Sequence, residues 1–251
     1  MKDTVNIKSA YLQSNIIPVN DRTSFCRIAI VYLAIGKYDI LWDEFYSSCE
    51  QYLFPDAEKH YFVFTDSEQL LNLELTNVSM SFWKDRGWAM STFAKSDCIL
   101  SVSKQLEAFD YLFYINANYK ILEPVYCDEI LATEVNDYFT VLSFDHLADK
   151  HPDSYTYDRN PLCQAYIPYG EGQRYYQASF YVPEMLELAA WCAESTRFDL
   201  SNGIMALWHD ESYLNKYLLE RNPKVIGTIY GKPEEFGGST SKAILRDKNK
   251  I

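Results

Sequence analysis

The chain has 251 residues, of which 48% are hydrophobic, and this is enough to bury the core of one large domain. Its formal net charge of −12, from 35 acidic and 23 basic residues, argues against nucleic acid or an anionic membrane surface as the main partner. The sequence contains no run of the roughly 20 apolar residues that a membrane-spanning helix requires, so we expect no integral membrane segment.

The cysteines and histidines do not follow the spacing of a metal site. Six cysteines are scattered without a C-x-x-C pair, and the four histidines fit no metal-binding motif. The first 20 residues are polar and lack the apolar segment of a signal peptide. We therefore expect a cytoplasmic protein without a zinc site or a disulfide framework.

The first part of the chain alternates predicted strands and helices. An apolar run over 27–35, stopped by Gly36, predicts a strand buried on both faces. Helical spacing over 40–53 predicts a helix that Pro55 ends, and the apolar run 60–66 predicts a second strand. This order is that of a β-α-β unit, which joins two parallel strands.

The next segments continue the pattern. Residues 89–108 are predicted to be helical, and apolar strands are predicted over 111–115 and 139–144. The alternation predicts an α/β fold with one open, mostly parallel sheet, whose ligands bind beyond the carboxyl ends of the strands. The segments expected at that edge are 34–38, 65–66 and 116–118.

The second half is less regular. Residues 145–178 are rich in Pro, Gly, Asp and Tyr, which predicts a loop-rich lobe. Helices are predicted over 183–194, with Pro183 in the first turn, and after Trp208. The segment beyond Asn222 is predicted to be a mobile, basic tail. Because the chain shows no repeat and no linker, we interpret it as one domain.

The segment W-H-D-E-S at 208–212 concentrates reactive groups at the start of a predicted helix. It places an aromatic ring, an imidazole and two carboxylates within five residues. One interpretation is structural, with Asp210 or Ser212 capping the helix and Glu211 complementing its dipole. The other is a catalytic site, which needs support from elsewhere in the chain.

That support comes from short motifs in a fixed order. They are A-I-G-K-Y at 34–38, Y-F-V-F-T-D at 61–66, D-Y-L-F at 110–113, Q-A-Y-I-P at 164–168, N-G-I at 202–204, W-H-D-E-S-Y-L-N-K-Y at 208–217 and R-D-K-N-K at 246–250. Through these motifs the chain resembles, over 27–250, the family 6 glycosyltransferases. This is the group of the histo-blood group A and B transferases and the α1,3-galactosyltransferase, and the chain resembles its bacterial members most.

The resemblance implies a GT-A fold for residues 25–251, with a loop-rich acceptor lobe over about 145–251 and an N-terminal extension over 1–24. It also implies a retaining hexosyltransferase that moves galactose or N-acetylgalactosamine from a UDP-sugar to the 3-hydroxyl of a β-galactoside oligosaccharide, often a fucosylated one. The partners that it implies are therefore a UDP-sugar donor and a galactoside acceptor.

The resemblance assigns one group of residues to the nucleotide. The uracil and ribose would be held by Leu33, Ala34, Ile35 and Tyr38. This agrees with the need of a base for apolar faces and backbone amides at a strand end. Leu33 and Ile35 are equally compatible with a purely structural place in the core.

The resemblance also bears on the metal. In mammalian members an Asp-x-Asp motif after the third strand holds Mn²⁺, whereas this chain has Asn116-Ala117-Asn118. Neutral amides are poor ligands for a hard dication, and bacterial members with an N-x-N motif work without metal. We therefore expect no metal cofactor. Asn116 and Asn118 would donate hydrogen bonds to ribose or phosphate, unless they are simple turn residues.

Without a metal, the charge of the departing UDP would be met by fixed cations. The candidates are Lys95, Arg246 and Lys248. Lys248 comes first because it matches the phosphate-binding lysine of the family's C-terminal tail. The alternative is that this basic C-terminus is merely solvated.

The resemblance places the W-H-D-E-S motif around the sugars. Glu211 matches the family's carboxylate beneath the anomeric carbon, Asp210 and His209 would bind donor hydroxyls, and Trp208 would give the acceptor galactose an apolar ring face. Glu211 is compatible both with a covalent glycosyl-enzyme and with an oxocarbenium-like state that its charge stabilises.

Two departures from the family concern specificity. The segment Gln177, Ala178 and Ser179 replaces a glycine-rich segment that sorts galactose from N-acetylgalactosamine, and the bulk at Ser179 favours UDP-galactose. The sequence F-D-H at 144–146 replaces an H-P-G motif, although Thr156 still matches an acceptor-contacting threonine. A retaining transferase with another donor and a non-catalytic nucleotide- or carbohydrate-binding protein are the alternatives.

Overall fold

The structure is a computed structural model, and it describes residues 26–144, 147, 150–182, 185–236 and 240–250. The N-terminal extension expected over 1–24 lies outside them. Strands and helices alternate through the first half of the described chain.

The helices are α1 (Trp42–Tyr52), α2 (Glu68–Leu71), α3 (Trp88–Ser101), α4 (Ser103–Leu106), α5 (Cys127–Ile130), α6 (Met185–Ser201) and α7 (Asp210–Tyr217). The strands are β1 (Cys26–Ala34), β2 (Ala57–Thr65), β3 (Val78–Phe82), β4 (Tyr111–Ile115), β5 (Tyr119–Ile121), β6 (Thr140–Ser143), β7 (Tyr176–Val182), β8 (Lys224–Ile226), β9 (Lys232–Pro233) and β10 (Ala243–Leu245). Short 3₁₀ segments follow β1 and β10, at Gly36–Leu41 and Lys248–Lys250.

Seven strands form one large sheet in the order β3-β2-β1-β4-β7-β6-β8. β1 pairs in parallel with β2 and β4, and β2 with β3, so these four strands end at the same edge. β7 runs antiparallel to β4 and β6. Its Phe180 and Tyr181 pair with the carboxyl end of β4, so its first half extends beyond that end. The α/β fold with a mostly parallel sheet is confirmed, and the architecture is that of a GT-A-like fold.

The sheet separates two apolar layers, because successive side chains of a strand point to opposite faces. Ala29 and Val31 of β1 pack in the layer that contains side chains of α3 and α6. Ile28, Ile30 and Tyr32 pack in the layer that contains side chains of α1. All five side chains are fully buried. Burial on both faces explains why β1 is a continuous apolar run.

The predicted elements agree with the structure where the apolar runs are long. The structure has strands at β1, β2, β4 and β6 and helices at α1, α3 and α7, each within a few residues of its predicted position. α6 runs to Ser201, beyond its predicted end, and its predicted first residue, Pro183, lies outside the described residues. The sequence pattern does not predict β3 or β7.

The missing prediction of β7 has a physical reason. β7 begins inside the region predicted as loops, with a polar start at Gln177-Ala178-Ser179. It joins the sheet because β4 and β6 offer their edges on either side, and such pairing is decided by tertiary context more than by local propensity.

The C-terminal segment expected to be a mobile tail is instead built into the structure. β10 pairs with β5 and β9 in a second, three-stranded sheet. The Arg246 amide donates to the Asn118 carbonyl oxygen (2.7 Å), and Asn118 Nδ2 donates to the Arg246 carbonyl oxygen (2.7 Å). These two bonds hold the tail beside the N-x-N motif.

Two further observations concern the described part of the chain. None of its helices has the length and apolar character needed to cross a membrane. All six cysteines fall within it, and none of them forms a disulfide there.

Candidate active site

A cavity of about 480 Å³ opens at the carboxyl edge of the large sheet, where β1 and β4 end and β7 begins. The predicted site residues that line it are Leu33, Ile35, Tyr38, Lys95, Asn116, Asn118, Ala178, Ser179, Trp208, His209, Asp210, Glu211 and Lys248. Four other predicted residues are not among its lining residues: Ala34, Thr156, Gln177 and Arg246. The sheet edge thus brings most of the predicted residues together.

The end of β1 forms an apolar wall of this cavity. Leu33 is half-buried and Ile35 is buried, and Tyr38 follows in the 3₁₀ turn. Ala34 is fully buried, and its carbonyl oxygen accepts the Thr65 hydroxyl (2.7 Å). An apolar face with a neighbouring aromatic ring is suited to a nucleobase.

Gly36 sits at the turn out of β1. It has a φ of +60°, which favours glycine. Its amide donates to Asp66 Oδ1 (2.8 Å), and a Cβ added here would come within 2.9 Å of Asp85 Oδ2. Glycine therefore allows the β3–α3 loop, which carries Asp85, to close against the cavity wall.

The N-x-N motif follows β4 directly. Asn116 Oδ1 accepts the Tyr114 hydroxyl (2.8 Å), and the Asn116 amide donates to the Ser179 carbonyl oxygen (2.9 Å). Asn118 is 3% exposed and supports the tail through Arg246. Both residues therefore do more than form a turn, because Asn116 connects β4 to β7 and Asn118 connects it to the C-terminal segment.

These residues do not fit a divalent metal such as Mn²⁺. The only side-chain oxygens that the motif offers are two neutral amides, and that of Asn116 already accepts a hydroxyl proton. In the described ranges, no three His, Cys, Asp or Glu side chains are grouped so that they could hold a metal ion. Hard dications prefer carboxylates.

The three candidate cations have different surroundings. Arg246 is paired with Glu44 and Glu234, away from the cavity. Lys95 lines the cavity but is paired with Asp210. The Arg246–Glu44 and Lys95–Asp210 ion pairs were not predictable from local sequence, because their partners lie 202 and 115 residues apart along the chain.

Lys248 is the cation best placed for an incoming anion. Its Nζ lies 6.0 Å from the Tyr38 ring centroid and 5.8 Å from that of Trp88, and no carboxylate within the described residues forms an ion pair with it. Burial, reinforced by repulsion from Lys95 and Lys37, lowers the pKa of Lys248, although Asp210 and Glu211 oppose this. An anionic ligand would favour its charged form.

Sequence reasoning missed Lys37 and Trp88, which also line the cavity. Lys37 Nζ donates to the Lys248 carbonyl oxygen (2.6 Å) and so ties the tail to the end of β1. Trp88 is the first residue of α3 and is 65% exposed. The signals were present: Lys37 stands inside the A-I-G-K-Y motif, and Trp88 is an aromatic residue at a helix start, as is Trp208.

Glu211 is held by two hydrogen bonds. Its Oε1 accepts the Tyr175 hydroxyl (2.8 Å), and its Oε2 accepts the Ala178 amide (3.0 Å). Burial raises the pKa of Glu211 above its usual value, while these two bonds oppose the shift. Shifted carboxyl groups in a cavity are typical of functional sites. Tyr175 was not predicted as a site residue.

Asp210 and Lys95 form a partly buried ion pair beside Glu211. Lys95 Nζ also donates to the Ala178 carbonyl oxygen (3.1 Å) and lies 3.8 Å from the Tyr114 ring centroid. Burial alone would lower the pKa of Lys95, but Asp210, Tyr114 and Tyr181 together outweigh it, and the pKa is raised well above its usual value. Lys95 is therefore charged at neutral pH.

Neither Asp210 nor Ser212 is the N-cap residue of α7, although Asp210 and Glu211 do lie in its first turn, where their charges complement the helix dipole. α7 begins at Asp210, its N-cap residue is His209, and that side chain makes no capping hydrogen bond. The Ser212 hydroxyl oxygen accepts the Trp208 amide (2.9 Å), which orders the turn before the helix. Both carboxylates also line the cavity.

His209 begins α7 in a backbone conformation that side chains rarely adopt. Its φ is +51° and its ψ is −124°, and such a conformation costs about 1–3 kcal/mol. The imidazole contacts the rings of Phe93 and Trp88 edge to face, at 5.3 and 5.8 Å between centroids. These contacts hold the ring at the cavity wall.

We expect His209→Gly to be more stable than His209→Ala. Both variants lose the ring contacts, but only glycine relieves the strain, by about 1 kcal/mol or more, or about 2–4 °C in thermal unfolding. As a control, Lys216 lies in α7, where alanine should be the more stable of the two by about 0.5–1 kcal/mol. The same order at both positions would contradict strain at His209.

The remaining predicted residues differ in their exposure and in their contacts. Trp208 is 50% exposed, as an acceptor-facing ring would be. Gln177 Nε2 donates to the Ser143 carbonyl oxygen (2.8 Å), and Ser179 Oγ lies 3.3 Å from the Tyr119 hydroxyl. Thr156 is exposed, between the buried Tyr155 and Tyr157. Of the F-D-H sequence that replaces the family's H-P-G motif, Asp145 and His146 lie outside the described residues.

Comparison with known proteins gives one consistent family. The sequence model described as Glycosyltransferase family 6 matches residues 9–246. The chain is 29% identical over 234 residues to the O-antigen biosynthesis glycosyltransferase WbnI of Escherichia coli, which covers 89% of this chain and 95% of that protein. It is 30% identical over 221 residues to the histo-blood group ABO system transferase 2 of Rattus norvegicus, covering 81% of this chain.

A third similar protein is the globoside alpha-1,3-N-acetylgalactosaminyltransferase 1 of Gallus gallus, which is 25% identical over 223 residues, or 84% of this chain. The match covers 62% of the length of the rat protein and 62% of the length of the chicken protein. The chain thus spans about three fifths of these vertebrate relatives and nearly all of the bacterial one.

Proposed function

The chain belongs to glycosyltransferase family 6, and we propose that it is a retaining hexosyltransferase for galactose or N-acetylgalactosamine. The donor would be a UDP-sugar, and the acceptor would be the 3-hydroxyl of a β-galactoside oligosaccharide. The observation that carries this proposal is the Glu211 carboxylate, which is held by two hydrogen bonds at the cavity wall beside the Asp210–Lys95 pair.

The two ends of the cavity would bind different parts of the donor. The base would lie against Leu33, Ile35 and Tyr38, at the carboxyl end of β1. The sugar would lie over Asp210 and Glu211, at the start of α7. Asn116 and Asn118 of the N-x-N motif also line the cavity, and they would contact the ribose and the diphosphate.

Glu211 is suited to meet positive charge at the anomeric carbon. Its two hydrogen bonds fix its direction before any substrate binds, so little reorganisation is needed in the transition state. Its raised pKa means that the carboxylate is a stronger base than an exposed glutamate, which also suits a nucleophile. Asp210, held by Lys95, is a fixed acceptor for sugar hydroxyls.

We propose that the leaving diphosphate is stabilised by protein cations and not by a metal. Lys248 would be the principal one, with Lys37 as the residue that holds its backbone in place. Arg246 is better explained as a structural residue that fastens the tail to Glu44 and Glu234. Two neutral amides at the N-x-N motif support the same proposal.

UDP-galactose is the donor that we propose first. The Ser179 side chain is 9% exposed and is fixed by the hydroxyl of Tyr119 and the amide oxygen of Gln177 (3.4 Å). A fixed side chain at this point of the cavity reduces the space for an N-acetyl group.

The cytoplasmic location expected from the sequence stays a prediction.

The proposal predicts sugar transfer that persists in excess EDTA. UDP-galactose and UDP-N-acetylgalactosamine are incubated with a panel of β-galactosides, with and without a 2-linked fucose, and product linkage and anomeric configuration are determined by NMR. We expect an α1,3-linked product at the same rate in EDTA and in Mn²⁺. Strict dependence on Mn²⁺ would overturn the metal-free proposal, and UDP binding without product would favour a binding protein.

A further inference from the structure

Glu211 receives one of its two hydrogen bonds from a side chain outside the W-H-D-E-S motif. The donor is Tyr175, which precedes β7 and is 4% exposed. Its ring packs in a small aromatic cluster of the loop-rich region, against Phe144 (5.8 Å between centroids), Tyr157 (5.6 Å) and Tyr155 (6.4 Å). Packing on several sides fixes the position of the hydroxyl.

The other tyrosines of this cluster show how a buried hydroxyl is ordinarily satisfied here. The Tyr155 hydroxyl donates to the Gln173 carbonyl oxygen (3.2 Å), and the Tyr157 hydroxyl donates to the Arg174 carbonyl oxygen (2.5 Å). Only Tyr175 of the three directs its hydroxyl to a carboxylate. A hydrogen bond to a charged group is about twice as strong as one to a neutral group, so this bond is directional and strong.

We propose that Tyr175 is a positioning residue, which fixes the direction and charge of Glu211. This inference rests on the proposed function, because it concerns the same carboxylate. It adds that the loop-rich region acts on the reaction itself, through the aromatic cluster that holds Tyr175 in place. The tyrosine touches neither reacting atom, so its effect passes through Glu211.

The electrostatic consequence has a definite sign. The bond from Tyr175 favours the charged form of Glu211 and so lowers its pKa, against the larger opposite effect of burial. Without the hydroxyl, the pKa rises further, and the carboxylate required for transfer is lost at a higher pH. A merely structural role for the ring would leave this pH dependence unchanged.

The test compares Tyr175→Phe with Tyr155→Phe as the matched control. Both keep a ring in the same cluster and lose one hydroxyl hydrogen bond, but only the first loses a contact with Glu211. We expect Tyr175→Phe to lower kcat about 10- to 100-fold, to shift the acidic limb of the kcat profile to higher pH, and to leave the Kd for UDP unchanged. Tyr155→Phe should leave all three unchanged.

A double variant tests whether the effect of Tyr175→Phe passes through Glu211 or comes from a folding defect. In the Glu211→Gln background, adding Tyr175→Phe should leave the residual rate unchanged, since the hydroxyl acts through the carboxylate. An unshifted pH profile in Tyr175→Phe, or an equal loss in Tyr155→Phe, would overturn the inference. Failure of the unmodified protein to transfer any sugar would instead overturn the proposed function, so the two failures are distinguishable.

Discussion

Glu211→Gln is expected to bind UDP as the unmodified protein does and to transfer sugar more slowly by a factor on the order of 10³ or more. Glutamine fits the site, because its amide oxygen can accept the Ala178 amide while its NH₂ donates to the Tyr175 hydroxyl oxygen. The change thus removes charge and nucleophilicity but little shape. Titration calorimetry with UDP and a single-turnover transfer assay measure the two effects.

The same variant should be more stable than the unmodified protein at neutral pH. Burial raises the pKa of Glu211, so the folded protein binds a proton here more tightly than the unfolded chain does. The stability that this proton contributes is present at low pH and is lost as the pH rises through the raised pKa. Glutamine mimics the protonated acid, so its advantage in Tm should grow from acidic to neutral pH.

Glu220→Gln is the control, since Glu220 lies on the surface shortly after α7. It should change neither transfer nor the pH dependence of Tm. Wild-type rates in Glu211→Gln would refute a catalytic role for the carboxylate. If Glu211→Gln had a lower Tm than the unmodified protein at neutral pH, then the hydrogen bonds and charges around the Glu211 carboxylate would stabilise it more than its burial destabilises it.

Lys95→Met is expected to destabilise the fold by about 3 kcal/mol and to abolish transfer. It leaves the Asp210 carboxylate, which is 17% exposed, without its counter-charge, and breaking a buried pair typically costs 3–5 kcal/mol. We use the lower end of that range because Asp210 keeps some contact with water. For a chain of this length the change corresponds to a fall in Tm of about 10 °C.

The second change separates charge from packing. Adding Asp210→Asn to Lys95→Met removes the orphaned charge, so most of the lost stability should return while transfer stays abolished. Lys104→Met, at an exposed position of α4, should leave Tm and activity unchanged. If the double variant were less stable than Lys95→Met, then the ion pair would not be what stabilises this part of the fold.

The sequence predicted the elements whose burial is visible in the residue pattern. β1, β2 and β4 are continuous apolar runs, because both faces of each strand are covered. Because parallel strands have their carboxyl ends at the same edge, the sequence alone predicts that Ile35 and Asn116 lie at that edge. Both residues line the cavity. The W-H-D-E-S motif could be assigned to the same edge only through the resemblance, since α7 follows no strand of the predicted pattern.

What the sequence did not predict depends on contacts between distant segments. From the sequence, Arg246 is simply a basic residue near the C-terminus. Its ion pair with Glu44 of α1 is what shows a structural role. Tyr175 is one of 21 tyrosines, and nothing local distinguishes it from Tyr155 or Tyr157. Its difference lies in its partner, Glu211, which is 36 residues further along the chain.

The walls of the cavity come from segments that are far apart in the sequence, and this bears on how the protein folds. The contacts that close it join Lys95 to Asp210 and Lys37 to Lys248, over 115 and 211 residues. The entropy of closing such loops opposes these contacts until the rest of the sheet has formed, which makes them late. Early folding species can therefore contain β1, α1 and β2 yet lack any nucleotide site. We expect UDP binding to appear only with the slowest refolding phase.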